Sequence, residues 1–363
     1  MHVGLPLHSR SAAPSLPYPR GWYGLADSDE LPRGKIVPVT AFGRDLVVFR
    51  TEDGVAHVTN AYCPHLGAHL GAGGTIEGNC IRCPFHGWHF EGKSGKCVKA
   101  AHGDPVPPKA QLTRWPVCEL DGVVFVWFHE KGADPEWELE PQPDFDLRWT
   151  PWRKRSWEFR ARIQDVGEND ADISHSPAMH YITKDLPELE METEGPICNW
   201  KMRMNASREA FGLPKLPRLW DVLRVPDTIP AEIEVRRTGF SIGLIRQWSV
   251  LPGGFRLRSQ TFINTTPIND EEVRVTARHR IAPTPVRPLT KIVLDKYCEL
   301  FDGTFEEDVE IWSNKVYRMR PVATKTDWAV LKFRKWARQF YGEGVYEEAL
   351  RKEDEMRAAG TLP

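Results

Sequence analysis

Two short stretches of the chain carry a cysteine and a histidine almost side by side. They are Cys63-Pro64-His65 and Cys83-Pro84-Phe85-His86, within the run CPHLGAHLGAGGTIEGNCIRCPFH. Each offers one soft thiolate and one imidazole, a donor mixture that suits iron or zinc. Together they can hold a [2Fe–2S] cluster, one iron on the two thiolates and the other on the two histidines. A structural zinc on the same four residues is the alternative. Cys-x-His and Cys-x-x-His half-sites, each soon followed by glycine, match zinc-finger spacing poorly. Cys80, between the two pairs, and Cys97, beyond them, read as buried free thiols.

A second donor set is Glu168, Asp172, His175 and His180, in GENDADISHSPAMH. Non-haem Fe(II) that activates O₂ is typically held by two histidines and one carboxylate, with positions left open. His175 and His180 are five residues apart, about 140° around a regular helix. They can share a metal only where the helix is distorted, and Pro177 lies between them to distort it. Asp172, three residues before His175, lies on nearly the same face. It can accept a hydrogen bond from the free nitrogen of that ligand. The missing carboxylate must come from elsewhere, and FEEDVEIWSNK offers Glu306, Glu307, Asp308 and Glu310. Chemistry alone does not choose among the four. Two histidines near acids on a polar helix are, by themselves, more often a solvated face. Their coexistence with the cysteine–histidine run reverses that reading.

These donors need rigid mountings. From Gly21 to about Phe128, short β-rich runs alternate with turns: Lys35–Thr40, Arg44–Arg50, Val55–Asn60, Leu112–Val117 and Val123–Phe128. Phe42-Gly43, Asp53-Gly54 and Asp121-Gly122 mark turns. This predicts an all-β domain over 21–130, preceded by a proline- and serine-rich arm (1–20), with the ligand pairs on two loops. The acidic, proline-rich segment 131–151 reads as a connector. Residues 152–363 predict an α+β domain. Its expected strands are Trp152–Arg162 and four runs in 231–281, and 164–180 is more helical. Helices then follow at 289–318, 326–341 and 345–358, the second stopped by Gly342.

Composition narrows the function. In 363 residues, a hydrophobic content of 41% and a charged content of 27% are ordinary for a globular chain. A formal net charge of −2 gives no reason to expect nucleic acid. The seven scattered cysteines form no disulfide framework. No signal peptide and no apolar run of membrane-spanning length is evident, so a cytoplasmic protein is expected. Gly71-Ala72-Gly73-Gly74-Thr75-Ile76 lacks the third glycine of a dinucleotide fingerprint. With no nicotinamide or flavin site, electrons must arrive from a separate reductase.

On these motifs the chain resembles the Rieske non-haem iron oxygenases, in their catalytic α-type subunit. The resemblance spans Gly21-Trp22-Tyr23, the Cys63–His86 run, the 168–180 motif and Asp308-Val309-Glu310-Ile311-Trp312. It implies that Cys63, His65, Cys83 and His86 hold a Rieske [2Fe–2S] cluster, and that His175, His180 and Asp308 hold mononuclear Fe(II). It also implies that Asp172 bridges His175 to His86 of a neighbouring subunit in a homotrimer, and that the catalytic domain has a helix-grip fold. Electrons would come from NAD(P)H through a ferredoxin reductase or ferredoxin. CPHLGAHLGAGG, IRCPFHGWHF, VPPKA, IWSNKVY and RKWARQFY are most similar to the sterol- and steroid-modifying branch, the 3-ketosteroid 9α-hydroxylase oxygenase components and cholesterol 7-desaturases. Ala68 and Phe85 stand where respiratory Rieske proteins carry an extra disulfide, which fits the lower-potential oxygenase type.

The expected function is therefore O₂-dependent hydroxylation or desaturation of a hydrophobic polycyclic substrate, a sterol or steroid. Its pocket is expected among Ile233, Val235, Phe240, Ile242, Leu244 and Trp248, unless these form sheet core. An oxygenase acting on an aromatic acid or a methyl ether is the alternative. An electron carrier with a degenerate second domain is the reading from another class.

Overall fold

The computed structural model describes residues 16–143, 148–180, 182, 183, 185–207, 226–250, 254 and 256–362. Most of the expected arm lies outside them. The chain divides into two compact units, each described by itself. One is Tyr18–Phe145 with Thr266–Glu271, and the other holds the remainder.

The first unit contains three small antiparallel sheets. Strands β1 (Gly21–Asp27), β11 (Val123–Phe128) and β10 (Val117–Leu120) form one, in the order β1-β11-β10. β2 (Ile36–Ala41), β3 (Arg44–Arg50), β4 (Ala56–Asn60) and β9 (Arg114–Trp115) form the second. The third consists of β5 (Thr75–Glu77), β6 (Cys80–Arg82), β7 (His89–Glu91) and β8 (Cys97–Lys99). All residues of β11 are buried, which is why it reads in sequence as a continuous apolar run rather than an alternation. The expected strand at Leu112–Val117 splits into β9 and β10 at Pro116, which has no N–H to give a ladder. Strands of three residues are too short to show a period, so the third sheet was not foreseen. One apolar cluster includes Val47, Phe49, Leu70, Ile81, Phe90 and Leu112 together with Cys63 and Cys83. The two thiols therefore sit at the edge of a packed core.

The second unit is built on a seven-stranded sheet, ordered β12-β18-β17-β16-β15-β14-β13. The strands are β12 (Arg153–Arg160), β13 (Glu188–Glu194), β14 (Ile197–Ser207), β15 (Thr228–Thr238), β16 (Ile242–Val250), β17 (Arg256–Pro267) and β18 (Glu272–Ile281). The β13–β14 hairpin was not foreseen. Its first strand, ELEMETE, puts glutamate at every second position, and only Met191 is buried. Helix α1 (Ile163–Glu168) is wholly buried and leads into the His175–His180 segment. The long helix α2 (Arg287–Asn314) packs on β12 and β18. Its buried stripe is Leu294, Tyr297, Asp302, Phe305, Asp308 and Trp312. Helical spacing explains the stripe, but two aspartates on it need a reason, because buried carboxylates are rare unless partnered. α3 (Trp328–Ala337) and α4 (Val345–Ala358) complete the unit. An antiparallel sheet against one long helix is the α+β arrangement expected. Among the described residues, no helix is long and apolar enough to cross a membrane.

Candidate metal centres

The cysteine–histidine pairs occupy two loops with the same hydrogen bonds. Cys63 N–H donates to Ala68 O (2.9 Å) and Gly67 N–H to Cys63 O (3.0 Å). Cys83 N–H donates to Trp88 O (2.8 Å) and Gly87 N–H to Cys83 O (3.1 Å). Gly67 (φ +76°) and Gly87 (φ +69°) are left-handed, a conformation that costs glycine nothing. Cys63 and Cys83 are each 2% exposed, and the histidines lie further out. The imidazoles of His65 and His86 are 4.7 Å apart between ring centroids, and His65 stacks on Trp88 at 4.4 Å. Burial, with Cys83 alongside, pushes the Cys63 thiol up to about 11. Two inner thiols beside each other and two outer imidazoles beside each other match a cluster with one iron on sulfur and one on nitrogen. Cys80 is half-buried and Cys97 is buried, and both are free.

In the other unit, ligand atoms of His175, His180 and Asp308 lie within 4.8 Å of one another. What joins the histidines is a π-helix over Ser176–His180. Its i→i+5 pattern stacks residues five apart, which a regular helix would splay. Each imidazole is tied through Nδ1, leaving Nε2 for a metal. His175 Nδ1 donates to the backbone carbonyl of Asp172 (2.5 Å), and His180 Nδ1 to Glu307 Oε2 (2.6 Å). His180 Nε2 is 3.2 Å from Asp308 Oδ1. Burial alone would lower the His180 pKa, but hydrogen bonds to Asp308 and Glu307 outweigh it and raise the value. Asn169 Nδ2 donates to Asp308 Oδ2 (3.1 Å). Two imidazoles and a carboxylate with secured outer atoms fit a facial iron site.

The structure sorts the remaining candidates. Glu168 is not at this group. It is buried and accepts from Arg334 (2.8 Å), whose guanidinium lies over Tyr317. Glu306 pairs with Arg155 and accepts from Trp157 Nε1, and Glu310 is exposed. Glu307 stands behind His180. Asp172 reaches His175 by its main-chain carbonyl, not its carboxylate. Its Oδ1 accepts from the Ser174 N–H (3.1 Å) and hydroxyl (2.8 Å). Sequence reasoning missed Asn169 and the role of Glu307, although both stand beside residues it named.

A cavity of about 220 Å³ adjoins the His175–His180–Asp308 group. Its floor is the sheet, through Met202, Met204, Ile233, Val235, Ile245 and Ile263, and its other wall is α2. Of the expected lining, Ile233 and Val235 are present. Ile242, Leu244 and Trp248 are not, because β16 pairs Ile245 with Val235 and Gln247 with Ile233. With side chains alternating along a strand, the even-numbered residues of β16 point to the opposite face. Phe240 packs instead among Phe333, Phe340 and Tyr341. The lining arginine, Arg237, is committed to Asp170 (Nε 3.0 Å) and to the Phe240 carbonyl.

Both parts of the chain match known protein families. Residues 21–112 match the Rieske [2Fe–2S] domain, and residues 126–341 match the 3-ketosteroid 9α-hydroxylase C-terminal domain. The chain is 31% identical to cholesterol 7-desaturase nvd of Drosophila melanogaster, covering 92% of this chain and 78% of the relative. It is 30% identical to a probable 3-ketosteroid-9-alpha-monooxygenase oxygenase component of Rhodococcus rhodochrous, covering 89% of this chain and 80% of the relative. Dicamba monooxygenase bound to dicamba shares the fold, with a TM-score of 0.67, 20% identity, and coverage of 88% of this chain and 96% of that one. Such oxygenases work with a [2Fe–2S] cluster and a non-haem iron, take O₂ as co-substrate, and receive electrons from a reductase or ferredoxin. The chain belongs to the Rieske non-haem iron oxygenases, with a catalytic domain of the 3-ketosteroid 9α-hydroxylase type.

Proposed function

We propose that this oxygenase hydroxylates or desaturates a sterol or steroid. The observation that carries the reading is the character of the cavity beside His175, His180 and Asp308. Its floor is aliphatic and thioether side chains apart from Gln247, and its one lining arginine among the described residues is already paired. An apolar polycycle gains free energy by leaving water for such walls. Among the described lining residues an aromatic carboxylate would find no unpaired arginine or lysine, and burying an unpaired charge is costly. This disfavours the aromatic-acid alternative. The names of the sterol- and steroid-acting relatives point the same way.

In this reading Cys63, His65, Cys83 and His86 hold the cluster, while His175, His180 and Asp308 hold the iron. When bound, the cluster supplies electrons and the iron supplies O₂ activation. The chain does the rest. Asp172 O and Glu307 fix the imidazole tautomers, and Asn169 fixes the Asp308 carboxylate. The apolar floor excludes water and presents a C–H bond towards the ligand group. Among the described residues the half-buried Asp172 carboxylate has only Oδ1 committed, to Ser174, so Oδ2 is left to accept from His86 of a neighbouring subunit in a trimer. The free cysteines suit the reducing cytoplasm.

The test is a screen of sterols, ketosteroids and aromatic acids with a surrogate reductase, products read by mass. Gain of one oxygen or loss of two hydrogens from a steroid is expected. Turnover of aromatic acids alone would overturn the reading. For the bridge, Asp172→Ala should keep both metals, yet its reduced cluster should not be reoxidised when substrate and O₂ are added. Normal reoxidation would remove Asp172 from the electron path.

A further inference from the structure

Nearly half of the side chains lining the cavity are polar, and most of these are already engaged. Arg237 and Asp170 hold each other, Asn169 holds Asp308, and the Tyr297 hydroxyl is 2.8 Å from Thr261 Oγ1. Thr304 bonds back to the carbonyls of Leu300 and Phe301 in its own helix. Gln247 is different. It lies on β16 between Ile233 of β15 and Ser259 of β17, and Ile233 in turn faces Met202 of β14, so its amide stands at the border of the apolar part of the floor. Its side chain makes no hydrogen bond to any described residue. Outside the segment that carries His175 and His180, no other lining side chain among the described residues is polar and uncommitted. A primary amide offers two donors and an acceptor. Neither amide atom is sealed from solvent, so a ligand oxygen can take the place of water there.

We infer that Gln247 is a specificity-determining residue, binding the lone hydroxyl or oxo oxygen of an otherwise apolar substrate. The inference rests on the steroid reading and deepens it. The cavity is long enough for an oxygen to be held away from the reacting carbon. Both Tyr297 and Asp308 line it, and they are separated by about 16 Å along α2 at ~1.5 Å per residue. A substrate gripped at Gln247 has its ring system oriented over the remaining floor. The amide thereby selects which face and which carbon meet the iron ligands. Because the amide both donates and accepts, it reads an alcohol and a ketone alike. A site built to bond an oxygen discriminates sharply against the analogue that lacks one.

The experiment uses the full-length protein with both metals loaded and no reductant. Equilibrium dialysis measures binding of cholesterol, its 3-oxo counterpart cholestenone, and the 3-deoxy hydrocarbon cholestene. The wild type is expected to bind both oxygenated ligands about tenfold or more tightly than cholestene, the size of one neutral hydrogen bond. In Gln247→Leu that preference should vanish while cholestene affinity holds. In Gln247→Glu, which accepts but no longer donates, cholesterol binding should persist and cholestenone binding should fall to the level of cholestene. An undiminished preference in Gln247→Leu overturns the assignment. Equal wild-type affinity for all three ligands overturns it too, while leaving the steroid reading intact. Failure to bind any of the three overturns both. The visible spectrum of the cluster in each variant reports that the chain has folded, and Gln247→Glu conserves volume should the leucine variant be unstable.

Discussion

In the cluster domain one loop is used twice, whereas the iron site is assembled from unlike parts. Cys63 and Cys83 sit in loops with matching hydrogen bonds, each closed by a left-handed glycine, and both thiols are anchored in the same apolar cluster. His175 and His180 ride on a π-helix, and Asp308 comes from the buried stripe of a helix far along the chain. The difference has a physical basis. A cluster that only passes electrons benefits from ligands held by a stiff, repeated backbone. A metal that must keep positions open needs ligands from one side only, and the remaining side is then free for a cavity. Here that side is the sheet floor.

The comparison breaks most completely at Asp308. Asp308→Ala removes the one carboxylate among the three clustered ligands, leaving two histidines on one short segment. Steady-state activity should fall to background and iron content should drop by the mononuclear equivalent, with the visible spectrum of the cluster unchanged. Retained iron would shift the ligand to a neighbouring acid. Gly74→Ala is the counterpart in the cluster domain. A Cβ on Gly74 would lie 2.2 Å from the Leu70 carbonyl oxygen and 3.1 Å from that of Arg82. Neither atom belongs to a flexible side chain. The overpacked turn should cost about 3 kcal/mol and bleach the cluster at a lower temperature, with the iron domain melting as before. An unchanged cluster-bleaching temperature would show that the turn can open without cost.

How much of this was readable in advance follows the same division. The two cysteine–histidine pairs are local in sequence, so type and spacing alone brought them out. Strands β3 and β11 were also found at their full length, because their apolar patterns are long enough to register. β5 to β8 escaped since three residues carry no period. At the iron site the histidines were legible, and Pro177 signalled that the helix had to deform. The choice among Glu306, Glu307, Asp308 and Glu310 was not legible from chemistry. It depends on which side of α2 faces inward, and of the four only Asp308 lies on the buried stripe with Tyr297, Phe305 and Trp312. Glu168 looked like a ligand because an acid beside a metal motif and an acid paired with a distant arginine are identical in sequence. Two of the six residues expected to line the cavity do so. Ile233 and Val235 were in phase, but the residues picked on β16 were out by one, and one residue of register turns every side chain over.

A smaller effect is expected at Glu307. Glu307→Gln leaves an acceptor at the place of Oε2 but removes the charge that holds His180 in its metal-ready tautomer. Loss of such an outer partner typically costs 10- to 100-fold in metal affinity. Competition with an iron chelator should therefore strip the mononuclear iron about tenfold or more readily, with the cluster unaffected. Equal resistance to the chelator would mean that Asp308 and the helix position His180 without help.

The smallest effect separates the two domains by pH. In the cluster domain Arg50 makes a two-pronged contact with Glu119, at 2.8 and 2.6 Å. The hydrogen bond from Arg50 holds the Glu119 carboxyl below its usual range, against the opposing pull of burial. With the folded value below the unfolded one, the ionised pair adds stability above the ordinary carboxylate value. That stability is lost as pH falls through the lowered one. Glu119 is 34% exposed, so solvent screening limits the pair to about 1 kcal/mol. In the iron domain the sign reverses. Glu168 is buried against Arg334, and burial raises its pKa despite the guanidinium. A raised value favours the protonated acid in the folded state, so this group adds stability at low pH and loses it as pH rises through the folded value. Thermal melts between pH 7 and about 4 should therefore show the Glu119→Gln variant and the wild type converging in the cluster transition. A difference that widened on acidification would mean that Arg50, and not Glu119, carries the stabilising contact through its bonds to the Leu31 and Gly54 carbonyls.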